Sequence, residues 1–435
     1  MLNLKRITGS ARLLLGAVAM AALIRSALIT FSIFWSTQSL AGGAYIYEMA
    51  NTTDIGTAGA GLAAKAQDAS VVFNNPAGMT RIHRPEIQAG GALLYLKAPF
   101  DSGSGTTITG PDSNTTEWFA GGNFSYVHPL DNDFTVGLSF QNFFGLTLDW
   151  DHKWKGRYST HEEWLIAPQL QPTIAYKVND TLSVGAGAAL TYGYLKSKLA
   201  VDNPVAGTDG KAEVEDTDTA VQGNFGVMIE PTKDTRIGIR YLTETKLDFD
   251  DKISTSGIGP IGEAVLDDLG AIDLGLYMPQ AINVSIFHQV NSDWALLGSL
   301  GWEDWSKFGK VEVGFDNLGR ITTEDYHAKD SYHFGIATQY QYDPELMLSA
   351  GFSFDSEMFS DKNRPIAFPM GDMYRYGVGF EKSVEKDFTF GGGLDLIWEG
   401  DVPVKDYNEA AGDIVDSEYE DVYFVFATLY GVWKF

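Results

Sequence analysis

The sequence contains no cysteine. Disulfide scaffolds, thiolate-held zinc and thiol nucleophiles are therefore excluded. No apolar run reaches the roughly 18 residues of a membrane-crossing helix, which excludes a polytopic helical membrane protein. Positive charge is scarce: 31 Lys and Arg stand against 57 Asp and Glu, a formal charge of −26. Such a chain repels a phosphate backbone, so nucleic acid is not an expected partner. The P-loop pattern is absent, and so is Gly-x-Ser-x-Gly. The seven His are dispersed at 83, 128, 152, 161, 288, 327 and 333. A hydrolase needs a nucleophile, a base and an orienting group, and nothing in the order of residues assembles them. No enzyme activity, metal or cofactor is expected.

Glycine and aromatic side chains are abundant. There are 47 Gly in 435 residues, and aromatics make up 13%. That aromatic content is too high for a disordered chain.

Residues 1–41 carry Lys5, Arg6, Arg12 and Arg25 and no acid, followed by a short apolar stretch from Ala27 to Trp35. Ser39 and Ala41 place small residues at −3 and −1 of a cleavage site, the layout of a secretory signal. A true start at Met20 would give a signal of conventional length. Export from the cytoplasm is expected.

From about residue 86 the chain alternates with period 2. Phe134, Val136, Leu138 and Phe140 interleave with Thr135, Gly137, Ser139 and Gln141. Leu346, Leu348, Ala350, Phe352 and Phe354 interleave with Met347, Ser349, Gly351 and Ser353. Alternation puts one set on each face of a strand, here one large and apolar, the other small or polar. Fourteen such segments follow: 86–97, 115–129, 133–149, 162–178, 181–199, 217–230, 234–249, 280–290, 293–306, 329–341, 345–357, 372–384, 387–400 and 419–435. Many run well beyond the 5 or 6 residues usual in soluble proteins and meet the roughly 9 to 11 of a tilted membrane strand.

The connections alternate in length. Tight turns fall near Asn132, Asn179, Lys233, Ser292, Asp343 and Lys386, with long loops between them. Short turns on one side, long loops on the other and an even strand count are the plan of an outer-membrane barrel. Closure leaves no backbone group unpaired in lipid. The fold class expected is therefore all-β: a 14-stranded antiparallel transmembrane barrel over 86–435, in the outer membrane of a Gram-negative bacterium. The last strand ends on Phe435, with Trp433, Gly431, Leu429, Ala427, Val425 and Tyr423 on the same face. That pattern resembles the terminal segment by which barrel-assembly machinery recognises such proteins. Periplasmic chaperones and outer-membrane lipid are the other partners a barrel implies, and a monomer is expected.

Residues 42–85 do not alternate. Asn75-Pro76-Ala77-Gly78 marks a turn. A compact segment ahead of a fourteen-stranded barrel reads as a hatch, because such a barrel encloses more space than its own side chains fill.

These pieces together resemble the FadL family of outer-membrane transporters, which includes TodX-like proteins. The likeness rests on Asn75-Pro76-Ala77-Gly78, Phe144-Gly145-Leu146, Trp154-Lys155-Gly156-Arg157-Tyr158, Met278-Pro279-Gln280 and Gly301-Trp302-Glu303-Asp304-Trp305, in that order along essentially the whole mature chain. The resemblance implies passive uptake of long-chain fatty acids. The ligand would be captured on extracellular loops, bound inside the barrel and released sideways near a kink in strand 3. Phe144 and Gly145 would mark that opening, since glycine inside a strand favours a bulge. Of the hatch residues Asn75, Pro76, Ala77 and Gly78, the stretch Asn75-Pro76-Ala77 would lie against it. Uptake of aromatic or aliphatic hydrocarbons by the same route is the alternative. An outer-membrane lipid hydrolase and an open porin are more distant ones.

The loop 250–279 offers an apolar capture surface in Ile258, Ile261, Leu266, Leu269 and Leu276, with a short amphipathic helix over 260–268. A carboxylate ligand wants a cation, and Arg binds carboxylates bidentately. Strand parity points Arg236, Arg240 and Arg375 inward, and Arg157 and Arg364 fall in extracellular loops. The acidic runs 213–216, 248–251 and 416–421 also fall in or near loops, where divalent cations could bridge them to lipopolysaccharide.

Overall fold

The structure is a computed structural model. It describes residues 45–435 apart from 131–132, 204–206, 309, 316, 318–319, 326, 368 and 409–412. The expected leader and the first three residues of the expected hatch lie outside the described residues.

Fourteen strands form the wall: β1 Glu86–Ser102, β2 Asn114–Pro129, β3 Phe134–Asp149, β4 Glu162–Lys177, β5 Leu182–Val201, β6 Gly210–Thr232, β7 Thr235–Leu242, β8 Ala281–Gln289, β9 Trp294–Glu303, β10 Ser331–Gln341, β11 Leu346–Asp355, β12 Met373–Glu385, β13 Phe388–Asn408 and β14 Asp413–Lys434. Each pairs antiparallel with its sequence neighbour, and β14 returns to β1 with Glu86 opposite Lys434 and Ser102 opposite Ser417. The ring is closed, as lipid demands. The seam is tied at its lower end, where Phe435 N donates to Pro85 O at 2.9 Å and Arg84 Nε to Phe435 O at 3.1 Å.

The alternation sorts side chains as expected. Leu296, Leu300, Leu394 and Leu429 face outward and are exposed, whereas Gln169, Gln171, Asn224 and Arg240 face inward and are buried. Three extents differ from the expected ones. The segment 234–249 is two strands: β7 leaves the wall at Leu242, and Thr245–Lys252 joins a separate four-stranded sheet with Ala271–Met278, Lys310–Phe315 and Arg320–Asp325. Period 2 continues through both, so the pattern does not mark where the chain changes sheet. Second, β13 and β14 run on as a hairpin to Asn408 and Asp413. Third, β6 begins at Gly210 rather than 217, extending its pairing with β5. The helix in the 250–279 loop spans Gly259–Leu269.

The N-terminal segment lies inside the wall. It comprises helices Tyr47–Ala50 and Val71–Asn74 and 3₁₀ turns Thr52–Thr57 and Pro76–Arg81. Side chains start both turns: Asn51 Oδ1 accepts from Thr53 N, and Asn75 Oδ1 accepts from Ala77 N, each at 3.1 Å, with Pro76 at the first position. A buried ion pair, Lys65 Nζ to Asp54 Oδ1 at 2.9 Å, staples the segment to itself, and Asn74 Nδ2 donates to the same carboxylate at 2.6 Å.

The wall holds the segment by its backbone. Gln171 donates to Val72 O at 2.9 Å, Asn224 to Phe73 O at 2.7 Å, Arg236 to Ala64 O at 3.0 Å and Ser353 to Ala58 O at 2.8 Å. Each buried carbonyl so satisfied avoids a penalty of about 1–3 kcal/mol. Inward-facing glycines let the backbones approach this closely. A Cβ at Gly238 would overlap Ala63 O, and one at Gly351 would overlap Thr57 O.

Candidate lumen site and lateral seam

The seam between β2 and β3 is incomplete among the described pairings. The β2–β3 ladder runs from Pro129 opposite Thr135 to Phe124 opposite Phe140 and stops there. Above it, residues 114–123 of β2 pair with β1 but have no partner on β3 among the described pairings. The cause lies in β3, whose register on β4 shifts between Asn142 and Gly145. Gly145 has φ +130°, and a Cβ there would strike Leu165 O. Only glycine takes that conformation without strain, so Gly145 turns the strand away from β2.

The N-terminal tip occupies this break. An antiparallel bridge joins Tyr45 to Phe144, and Ile46 N donates to Phe143 O at 2.7 Å. The Tyr45 ring stacks on Phe143 at 4.8 Å, meets Trp305 at 5.5 Å, and donates its hydroxyl to Pro279 O at 2.5 Å. Met49 lies against Gly121 of β2. The tip thus closes the seam from inside.

Asn75, Pro76, Ala77 and Gly78 lie elsewhere. They are buried against β5 and β6: Asn75 Nδ2 donates to Val227 O at 3.0 Å, and a Cβ at Gly185 would press on Pro76 and Ala77. Phe144 and Gly145 are at the kink, but the residues against that kink are Tyr45 and Ile46. No signal in the sequence marked Tyr45 out.

Beside the tip is a narrow cavity of about 30 Å³, lined by Tyr47, Glu48, Arg240, Glu303, His333 and Arg375 among others. That is room for about two waters, so a larger guest must displace side chains. Above it the lumen is apolar. Phe100, Trp154 and Tyr419 pack edge to face, Trp150 stacks on Trp154 at 5.2 Å, and Phe359, Ile366 and Phe424 fill the same core.

The structure separates the five arginines by their partners. Arg375 is held between Glu48 and Asp355. Arg364 binds Glu357 at 2.5 Å and Asp361 at 3.2 Å. Arg157 binds Asp209 at 2.7 Å and Thr109 O at 2.6 Å, bolting three extracellular loops together. Burial would pull its pKa down, but Asp209 and Tyr158 outweigh that and raise it. Burial, aided by Asp209, pushes the Tyr158 hydroxyl up to about 12. Arg236 donates to carbonyls of the N-terminal segment and stacks on Phe287 at 3.7 Å. Arg240 differs. It lies over Phe73 at 4.1 Å, makes one long bond to Asn224 at 3.4 Å, has no carboxylate within ion-pair distance among the described residues, and leaves Nη2 buried without a partner.

Of the apolar loop residues, Ile258 and Leu276 are buried, Ile258 against Gly210. The side chains of Ile261, Leu266 and Leu269 lie outside the described residues.

The fold also gathers Ser299, His333 and Asp355, which the sequence left dispersed. Ser299 Oγ is 3.0 Å from His333 Nε2, and His333 Nδ1 is 2.8 Å from Asp355 Oδ1. The order of groups is that of a hydrolytic triad. The surroundings are not. Ser299 sits mid-strand with ladders to Ser285 and Gly335 on its two sides, so the nearby amides are engaged and offer no oxyanion hole.

A closed fourteen-stranded barrel with an apolar lumen, an internal segment and one incomplete seam defines an outer-membrane transport barrel. The chain belongs to the outer membrane protein transport protein family (OMPP1/FadL/TodX), whose model matches residues 32–432. It is 25% identical over 431 residues to the long-chain fatty acid transport protein of Escherichia coli O6:H1, covering 91% of this chain and 95% of that one. It is 26% identical over 372 residues to outer membrane protein P1 of Haemophilus influenzae, covering 76% and 80%. Among solved structures, a Pseudomonas aeruginosa FadL homologue superposes with TM-score 0.78 at 21% identity, covering 88% of this chain and 98% of that one. The toluene transporter TodX of P. putida gives 0.65 at 16% identity, covering 84% and 94%. The protein is a non-enzymatic transporter of a hydrophobic small molecule, situated in the Gram-negative outer membrane.

Proposed function

We propose that the chain carries long-chain fatty acids passively from the extracellular loops, through the lumen, and out sideways between β2 and β3. The observation that carries this reading is the seam that stops at Phe124 and Phe140, with Tyr45 and Ile46 bridged across its kinked strand. A ligand leaving there enters lipid without crossing water, which suits a molecule that is insoluble in it. The N-terminal segment acts as the hatch, and its tip is the part that moves. The rest is held to the wall by backbone bonds on several sides. Arg240, with an unpartnered donor facing the cavity, receives the carboxylate. The relatives named for fatty acid transport support the choice of ligand.

A second reading has its own support. Four of the five candidate arginines are already engaged, the upper lumen is apolar, and several structural neighbours are named for toluene or monoaromatic hydrocarbons. On this reading the guest is an uncharged hydrocarbon.

Import assays in a deletion strain separate the two. Loss of oleate uptake, restored by the wild-type gene but not by the Arg240→Gln variant, supports the fatty acid. Unchanged oleate uptake with lost toluene or alkane uptake selects the hydrocarbon.

A further inference from the structure

The lipid-facing surface of β1, β2 and β14 is layered. Across these three strands the outward residues fall in register: Thr116, Lys97 and Tyr423 in the uppermost row, then Trp118, Tyr95 and Val425, then Ala120, Leu93 and Ala427, then Gly122, Gly91 and Leu429. The upper two rows are a cation and a cluster of rings. Tyr95 contacts Trp118 at 4.9 Å and Tyr423 at 6.1 Å, and Lys97 Nζ lies 5.4 Å from the Tyr423 centroid. Apart from Leu93 and Leu429 the lower two rows carry only Ala and Gly, and a Cβ at Gly91 would meet nothing closer than 3.7 Å. They open into an apolar groove of about 990 Å³ that continues over Leu394, Val378 and Leu348 on the neighbouring strands.

Lys97 differs from several lysines on this side of the barrel. Lys155, Lys196, Lys198 and Lys329 each pair with a carboxylate. Lys97 has none within ion-pair distance among the described residues, although the chain carries a net charge of −26. Glu117, its diagonal neighbour, lies on the opposite face of β2 by parity. The six residues from Lys97 to Gly91 span about 20 Å of strand, or roughly 15 Å of depth at the usual tilt. The cation therefore sits at the aromatic girdle and the groove beneath it in hydrocarbon.

We propose that this face binds a phosphorylated, multiply acylated lipid of the outer leaflet. Lys97 contacts the phosphate, Trp118, Tyr95 and Tyr423 sit at the level of the headgroup, and one acyl chain lies along the groove. A cation with no acid partner within ion-pair distance among the described residues, placed directly above an apolar trough, is complementary to an anionic amphiphile.

The test uses the full chain, delipidated in detergent, with bis-phosphorylated hexa-acyl lipid A as the probe and its dephosphorylated form as control. Retained lipid is read by native mass spectrometry. Wild type should hold the phosphorylated lipid more tightly than the control. Lys97→Gln should bind it roughly 10- to 100-fold more weakly, the scale of a charge-assisted contact, and lose the discrimination. Ala427→Trp, which fills the trough, should weaken both lipids. Heat-modifiable migration on gels confirms that both variants fold. Equal retention of lipid A by Lys97→Gln and wild type, or equal retention of the two lipids by wild type, overturns the proposal.

Discussion

On the fatty-acid reading proposed above, Arg240 is the residue on which ligand chemistry turns. Its Nη2 lacks a partner in a buried place, and an unmade hydrogen bond there is costly. A ligand carboxylate would supply the missing acceptor. Arg240→Gln should weaken oleate binding by roughly 10- to 100-fold, measured by fluorescence displacement, while leaving an uncharged alkane unaffected. His161 makes a second prediction at this scale. The buried ring leaves both nitrogens unpartnered and packs edge to face on His152 at 4.6 Å. Burial, with His152 and Lys211 nearby, lowers its pKa to about 4. An unfolded histidine titrates near 6.5. The folded loop binds its proton later than the unfolded chain, so this contribution to stability is complete above pH 6.5 and is lost as pH falls toward 4. Protection factors in residues 150–161, corrected for the pH dependence of intrinsic amide exchange, should fall between pH 7 and 4.5, and His161→Asn should flatten that dependence.

At the scale of elements, the proposed exit joins the seam and the tip, which the Tyr45–Phe144 bridge links. The chain has no native cysteine, so an engineered pair reports cleanly. Tyr45 and Phe144 face each other in an antiparallel bridge, and bridge partners lie within the Cα separation a disulfide accepts. A Tyr45→Cys/Phe144→Cys variant should block uptake when oxidised and regain it on reduction. Uptake that continues unchanged through the oxidised form would show that the tip does not gate this exit. Gly145 belongs to the same device. Gly145→Val faces both a positive φ and the Leu165 carbonyl, so the kink should relax or the strand should misregister. Transport should fall far more than barrel yield.

For the molecule as a whole, the seat of the N-terminal segment is built from absences. Gly238 and Gly351 admit backbone where any side chain would collide with Ala63 or Thr57. Gly238→Leu should displace the segment without breaking the β6–β7–β8 ladders, because the added atoms point into the lumen. Planar-bilayer recording should then show larger and noisier conductance than wild type, with heat-modifiable migration retained. Wild-type conductance from a folded variant would mean that the segment does not seal the barrel.

The reach of the sequence follows from the range of the forces involved. Strand number, the side of the long loops and the inward set were legible because period-2 patterning and Asp-led turns are local, and lipid enforces one apolar face on every strand. The glycine at the kink was legible for the same reason. The same locality hid the exchange of sheets after Leu242, since alternation runs unbroken through both strands. Partners across the lumen were beyond reach. Arg375 and Arg240 obey one parity rule, yet Glu48, 327 residues away, pairs with the first, while no carboxylate among the described residues comes within ion-pair distance of the second. Ser299, His333 and Asp355 meet only because three strands fall into register. The sequence alone determined a closed, lipid-facing cylinder of fourteen strands. Tertiary structure decided where the β2–β3 pairing breaks off, what lies against the break and which inward arginine lacks a carboxylate among the described residues, because those depend on contacts between residues far apart in the chain.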